Sequence, residues 1–350
     1  MTTQNSTSLT LSSATFAKLS PHPYLLANLQ STSSTPPSRA NGRKPTETRK
    51  PAINTSSLTH AHGSALVRTG DTTVICGVRG ETLATSQIPN YRANVSAGES
   101  GGIHTDELRA YDLLVPNIEL ATGCAPEFLP GVPPTSLAQT LSTRVYSLLH
   151  SSKILDVEDL RIYGEVERPA EDEEGMEVEV DDATVTKGVN EVKAYWVLYI
   201  DLLFVSLDGN PFDAAWGAML AALRDTKLPR ARWDADRDMV VCSRSVPSSP
   251  LSISGLPVSC TAAVFTAKER LKQSLRHNKD AAGSFWMLVD PDRFEESLCD
   301  ETVTVVLDRS GGETKILNVS KNGGTVVGLE VMKRVVQVAE SRWEQFKGAL

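Results

Sequence analysis

The stretch from Tyr195 to Pro229 constrains this chain more than any other. Trp196, Val197, Leu198, Tyr199, Ile200, Leu202, Leu203, Phe204 and Val205 form an almost unbroken apolar run, rich in β-branched and aromatic residues. Such a run predicts a strand covered on both faces. Asp208-Gly209-Asn210 then marks a tight turn into a helix. Asn210 is placed to cap that helix, and Pro211 suits a first turn, where no N–H is needed. Asp213 sits near the positive end of the helix dipole. Ala214, Ala215, Gly217, Ala218, Ala221 and Ala222 keep the helix thin, able to lie close on a sheet or a neighbouring subunit, and Pro229 ends it.

A chain of 350 residues that is 40% apolar has material for one large domain or two small ones. No apolar run reaches membrane length, and the start MTTQNSTSLTLSS lacks a secretory pattern. Cys76, Cys124, Cys242, Cys260 and Cys299 are scattered and odd in number, which argues against a zinc site or disulfide framework and for a reducing compartment. The net charge of −8 reads at first as unfriendly to nucleic acid. It is concentrated, however. Glu165 to Lys193 holds eleven acidic and three basic residues, so the rest of the chain is neutral.

Along the chain, residues 1–50 read as a mobile N-terminal region with one short docking helix over Phe16 to Gln30. Residues 51–350 read as a single domain with insertions near 83–112, 165–193 and 268–283. Ile53–His60, Ser64–Thr69 and Thr72–Val78 are predicted strands, and Gly70-Asp71 is a hairpin turn signal. Leu83–Asp112 reads as a long loop. Leu113–Leu120 is extended, with Pro116 implying a bulge or edge position. Thr135–His150 is an amphipathic helix with Leu137, Leu141, Val145, Leu148 and Leu149 on one face. The acidic insertion reads as disordered. Further strands are expected at Met239–Cys242, Leu251–Ile253, Cys260–Phe265, Ser284–Val289, Thr302–Leu307 and Lys315–Val319, then a helix over Val326–Phe346. The fold class is α+β, mixed sheets packed with helices. Two pseudo-repeated β-α halves are placed at Ile53–His150 and Tyr195–Leu223.

Few residues suggest chemistry by themselves. His60 and His62 form an H-x-H pair with no third ligand in view, and a strand end explains them equally. Gly98, Gly101 and Gly102 match neither a dinucleotide fingerprint nor a P-loop. Ser64, Ser136 and Ser245 lack a nucleophile elbow. The carboxylates Asp208, Asp213, Asp290, Asp292, Glu295 and Glu296 suit metal binding or acid–base work. They suit equally a turn (Asp208), a helix start (Asp213) and a solvated turn (Asp292 to Glu296).

Several stretches recur in the order of a known family: Arg39-Ala-Asn-Gly-Arg43 with Thr48-Arg49; Gly63-Ser-Ala-Leu-Val67 with Gly70 to Val78; Val115-Pro-Asn-Ile-Glu119; Trp196 to Asp201; Asp208-Gly-Asn210 with Asp213-Ala-Ala215; and Leu288-Val-Asp-Pro291 with Glu295-Glu296. In these the chain resembles the RNase PH-like ring subunits of the eukaryotic RNA exosome, and within them the non-catalytic branch. Two positions depart from the family pattern: Asn41 and His62 stand where aspartate is usual. The resemblance implies an RNase PH-like fold and partnership with other ring subunits, cap proteins and a separate hydrolytic ribonuclease. It also implies single-stranded RNA in the ring channel, no membrane, and residence in nucleus, nucleolus and cytoplasm. The active branch places arginines at the start of its first long helix to hold phosphate. Here Gly131 to Gln139 has no basic residue. The expectation is therefore no phosphorolytic activity, no catalytic residue, no metal and no cofactor. Arg92, Arg109 and Arg144 are the candidate RNA contacts. The competing enzyme reading, a phosphate-dependent 3′–5′ exoribonuclease, needs cations from elsewhere, such as Lys268 to Lys279. A free-standing regulatory binding protein is a third reading and predicts a stable monomer.

Overall fold

A computed structural model describes residues 12–30, 37–89, 91, 107–131, 135–168, 187–266, 285–299, 301–324 and 327–350, with backbone only at 165–168, 187–190, 266 and 285. The chain divides into two compact units. The first comprises Met1–Pro51, Leu207–Asp213 and Val258–Gly348, and the second Ala52–Ser206, Ala214–Pro257 and Ala349–Leu350.

The apolar run around Tyr195 becomes the axis of the second unit. Strand β6 (Lys187–Ser206) is the longest strand among the described residues. Along one side it pairs antiparallel with β3 (Thr72–Ala84), which hairpins with β2 (Gly63–Thr69) beside β1 (Pro51–Thr55). Its other side is shared. The N-terminal half pairs antiparallel with β5 (Arg161–Arg168), and the C-terminal half parallel with β4 (Leu114–Leu120). Strand β4 is an edge, as Pro116 implies. The Gly70-Asp71 hairpin closes with Thr69 opposite Thr72 and Gly70 at φ +61°.

The run is not covered on both faces throughout. Ala194, Trp196, Leu198, Ile200, Leu202 and Phe204 are all buried, but the other face runs from buried Tyr195 and Val197 to Leu203 at 36% and Val205 at 48% exposure. Period-2 alternation emerges only where that second face opens to solvent. Because β6 lies in the same sheet as β1–β4, it does not begin a second half where the sequence placed one. The second sheet is built from later strands.

Helix α5 (Pro211–Asp225) starts in the first unit and continues into the second. Residues 209–223 are all buried, so this thin helix is used up within the chain rather than offered to a neighbouring subunit. It ends before Pro229: Thr226 Oγ1 donates to the Ala222 carbonyl, and β7 (Lys227–Leu228) pairs with β10 (Ser249–Pro250). Helix α4 (Ser136–Ser152) is capped by Thr135, which accepts from the Ala138 N–H. Leu141, Val145, Leu148 and Leu149 are buried, but Leu137 in the first turn is exposed and Ala138 takes the inward place. Strands β8 (Ala231–Asp234) and β9 (Met239–Cys242) form a separate hairpin. The flanks of the acidic insertion are ordered, since 165–168 and 187–193 continue the β5–β6 ladder; residues 169–186 lie outside the described residues. Within the expected long loop, β3 runs on to Ala84 and a short helix α3 covers Glu107–Ala110.

The first unit holds the antiparallel sheet of β12 (Phe285–Val289), β11 (Val258–Thr266), β13 (Glu301–Asp308) and β14 (Lys315–Asn322), in that spatial order. β11 and β12 pair as expected, and 267–284, the predicted insertion between them, lie outside the described residues. The N-terminal docking helix is two helices, α1 (Ser13–Leu19) and α2 (Pro21–Leu29), because Pro21 has no N–H to carry the first through. Leu25 and Leu29 of α2 pack with Ala263, Phe265 and Leu288. Short α6 (Arg293–Leu298) and long α7 (Leu329–Ala349) complete the unit.

Candidate functional site

The scattered carboxylates and arginines converge in the first unit. Asp290 follows β12 with φ +52° and no exposure, its N–H given to the Thr261 carbonyl at 2.8 Å. Arg49 grips its carboxylate with three donors: Nε at 2.9 Å, Nη2 at 2.8 Å and its own backbone N–H at 2.8 Å. Asn210 Nδ2 donates to the same carboxylate at 2.8 Å and to Asp213 Oδ2 at 2.9 Å. Asn210 is therefore a bridge between two acids rather than a helix cap. Its φ of +51° also excludes the extended backbone that a cap residue has. Asp213 further accepts from the Thr261 N–H and hydroxyl, both at 2.9 Å. Arg342, buried on α7, stands 3.9 Å from Asp213 and from Asp290.

A second centre adjoins the first. Asp292 and Glu295 close a capping box at the start of α6. Glu295, expected in a solvated turn, is fully buried and accepts from the Arg39 guanidinium, whose Nη1 also reaches the Val289 carbonyl at 2.7 Å. Arg39 is held by a tight turn in which Asn41 Oδ1 accepts from the Arg43 N–H. Asn41 Nδ2 donates to Asp292 at 2.8 Å. The aspartate usual at this position would meet Asp292 with like charge, so the departure has a local reason. Arg49 Nη1 donates to the Asp208 carbonyl at 2.7 Å, and Gly209 next to it, at φ +71°, has no room for a side chain: a Cβ would lie 2.6 Å from the Arg293 nitrogen.

The electrostatics define what this cluster can do. Burial by itself would raise Asp290, but the hydrogen bonds and charge of Arg49 and Arg342 hold it well below the ordinary carboxylate range. Burial lowers Arg43, and repulsion from Arg39 adds to that. For Arg49 and Arg342 burial also works downward, but Asp290 and its neighbours raise both. The Asp290 oxygens are engaged by the donors of Arg49 and Asn210, and Arg342 adds its charge from 3.9 Å. The cluster is a charge-paired staple.

The second unit carries the predicted RNA contacts. Arg92 lies outside the described residues. Arg109 is exposed on α3, close to His150, whose imidazole is pushed down by burial and then by Arg109. Arg144 is half-buried on α4, two residues before Tyr146 and so roughly 200° of helix rotation away from it. Tyr146 and His150 share a face, with ring centroids 4.3 Å apart. At the N-terminus of α4 a cleft of about 360 Å³ is lined by Asn117, Glu119, Glu127, Phe128, Leu129 and Thr135 among others, with two carboxylates and no cation among the described lining residues. Residues 132–134, and the alternative cations of Lys268 to Lys279, lie outside the described residues.

His62 accepts the Gly80 N–H on Nδ1 at 2.9 Å and stands edge-on to Trp196; burial lowers its pKa. Among the described residues no three His, Cys, Asp or Glu side chains gather as metal ligands. The partners of the carboxylates escaped sequence reading. Arg39, Arg43 and Arg49 sit in a Ser/Pro-rich segment that looks solvated, and Arg342 in a helix of mixed charge. For Arg39, Arg43 and Arg49 the signal was their recurrence within the family stretches, which did not say where they point; Arg342 carried no such signal.

The chain belongs to the 3′ exoribonuclease family, whose domain 1 matches residues 47–229. Among its relatives, the exosome complex component rrp43 of Schizosaccharomyces pombe is 29% identical over 96% of this chain and 97% of that protein. The exosome complex component Rrp42 of Archaeoglobus fulgidus is 27% identical over 86% of both. In fold, the chain is similar to an Archaeoglobus fulgidus exosome solved with RNA bound to the active site, with TM-score 0.60, 24% identity, and 93% of this chain and 96% of that one covered. An archaeal exosome core gives 0.56 at 22% identity, covering 93% and 95%.

Proposed function

We propose that this chain is a non-catalytic ring subunit of an RNA exosome, of the kind represented by its fission-yeast relative. It supports 3′–5′ RNA processing and degradation, ribosomal RNA maturation and messenger RNA turnover included, by helping to form the channel through which single strands are threaded. Its partners on this reading are other RNase PH-like subunits, cap proteins and a separate hydrolytic nuclease, in nucleus, nucleolus and cytoplasm.

The acidic cleft at the start of α4 carries the non-catalytic part of the reading. Phosphorolysis must hold a phosphate dianion and stabilise the charge of its transition state with fixed donors. Glu119 and Glu127 offer the opposite sign at the place where the active branch keeps its arginines. The aspartate after β12 supports the same view, because its lone pairs are already taken by Arg49 and Asn210. Near-complete coverage of two exosome components supports ring membership.

The test is a phosphorolysis assay on single-stranded RNA with inorganic phosphate, using the purified chain alone and assembled with its ring partner. No nucleoside diphosphate should appear with the chain alone, and any release by the assembly should be unchanged by Glu119→Ala. Release abolished by a substitution in this chain would overturn the reading. Ring membership is tested separately, by the mass and composition of the native complex.

A further inference from the structure

The dipeptide Asn-Gly occurs twice in the chain, at Asn41-Gly42 and at Asn322-Gly323. In this dipeptide an asparagine amide is lost most readily, because glycine has no side chain to keep its own nitrogen away from the asparagine carbonyl carbon. Both copies lie in the first unit and both are exposed. Both glycines have positive φ, +84° at Gly42 and +121° at Gly323. Local sequence and exposure therefore do not tell the two apart. Their hydrogen bonds do.

Asn41 is held at each polar atom that the reaction uses. Its Nδ2, the group that would leave, donates to Asp292 at 2.8 Å. Its Oδ1 accepts from the Arg43 N–H at 3.1 Å. The Gly42 nitrogen is the nucleophile, and its N–H donates to the carbonyl of buried Arg39 at 3.0 Å. Attack requires the amide to swing round onto Gly42, which breaks these bonds. Asn322 is the last residue of β14, opposite Thr302 of β13. Among the described residues neither its side chain nor the Gly323 N–H has a hydrogen-bond partner. Lys321 Nζ donates to the Gly323 carbonyl at 3.2 Å, which leaves the glycine nitrogen free.

We propose that Asn322-Gly323 is a site of spontaneous deamidation in the folded protein, and that the fold holds Asn41-Gly42 back from the same reaction. At 322 the Gly323 nitrogen bonds to the side-chain carbonyl carbon of Asn322. The amide C–N bond breaks, and ammonia leaves carrying, by way of solvent, the proton that Gly323 gave up. Water then opens the five-membered imide at either carbonyl, giving aspartate or isoaspartate. Either product adds a negative charge one residue from Lys321, whose ammonium stands 2.7 Å from buried Glu301. Isoaspartate also lengthens the backbone at the end of the β13–β14 ladder.

The full-length protein is incubated in mildly alkaline buffer, folded and, in parallel, unfolded in urea. Peptides sampled over time are read by mass spectrometry for the exchange of amide for acid. In urea both asparagines should convert at similar rates. In the folded protein Asn322 should convert within a few-fold of its urea rate. Asn41 should be about 10- to 1,000-fold slower than in urea, the weight of three hydrogen bonds. Asp292→Ser still caps α6 but is too short to reach Asn41, so it should speed Asn41 several-fold and leave Asn322 unchanged. Asn322→Gln should remove the early conversion. Asn322 persisting in the folded protein while the urea sample converts would overturn the proposal. So would equal rates at the two asparagines without denaturant.

Discussion

The two units use charge in opposite ways. In the first, Arg39, Arg49 and Arg342 face Asp213, Asp290 and Glu295 inside the protein, with every one of these carboxylates accepting hydrogen bonds. In the second, the buried charge is a smaller affair: Arg161 meets Glu107 at 2.9 Å beside the Tyr195 hydroxyl, while Arg161 also reaches out to exposed Glu158. Glu119 and Glu127 at the α4 cleft face solvent. A buried network fixes backbone segments that are remote in sequence, because each charge left unmatched in a low dielectric is costly. Surface charge holds little together and stays available to a ligand. The difference is that the first unit's acids hold the fold together, while the second unit's exposed charges hold little of it.

The comparison is broken most directly at Asp290. Asp290→Ala leaves Arg49 and Arg342 buried without their main acceptor and should destabilise the protein by about 3–5 kcal/mol, read as a fall in the urea midpoint. If the loss is under ~1 kcal/mol, the cluster is not a staple. Gly209→Ala in the same unit should cost about 3 kcal/mol, since it adds a left-handed strain to a backbone collision near Arg293. Glu107→Gln in the second unit should cost less, about 1–3 kcal/mol, because Arg161 keeps Glu158 and the amide still accepts a bond.

Acid sharpens the contrast. Asp290 has a folded pKa below its unfolded one, so its contribution is complete above the unfolded value near 4 and is lost as pH falls toward the folded value. Glu296, raised chiefly by burial, works with the opposite sign: what its neutral form contributes is lost as pH rises through its folded pKa. Asp290→Asn should therefore flatten the acid limb of a stability–pH curve. The smallest effect belongs to the surface pair Arg68–Asp71, 3.6 Å apart and largely exposed: Arg68→Ala should leave the unfolding midpoint where it was.

Elements with a strong local period were legible in the chain. β2, α4 and the helix after Asn210 stand within a few residues of their predicted limits, because turn chemistry and apolar spacing are local properties, whereas β3 runs on past Val78 to Ala84 and the strand at Tyr195 already begins at Lys187. Two readings failed where a neighbour decided the matter. Asn210 has the composition of a cap, but two acids claim its amide. Glu295 has the composition of a surface turn, but Arg39 reaches it from 256 residues away. Of the candidate RNA contacts, Arg92 and Arg109 belong to the expected long loop and Arg144 to the expected helix.

By itself, then, the sequence determined that a long apolar strand and a thin helix would form around Tyr195 to Asp225, and that six short stretches mark a 3′ exoribonuclease family member. It determined too that Gly131 to Gln139 carries no basic residue. Only the tertiary structure decided that β6 is open on half of one face and α5 closed on all sides. Only there did the marked arginines and carboxylates turn out to neutralise one another. Periodicity records which face of an element is apolar. The partner of a charge is set by chain segments hundreds of residues apart, and burial then makes that pairing obligatory.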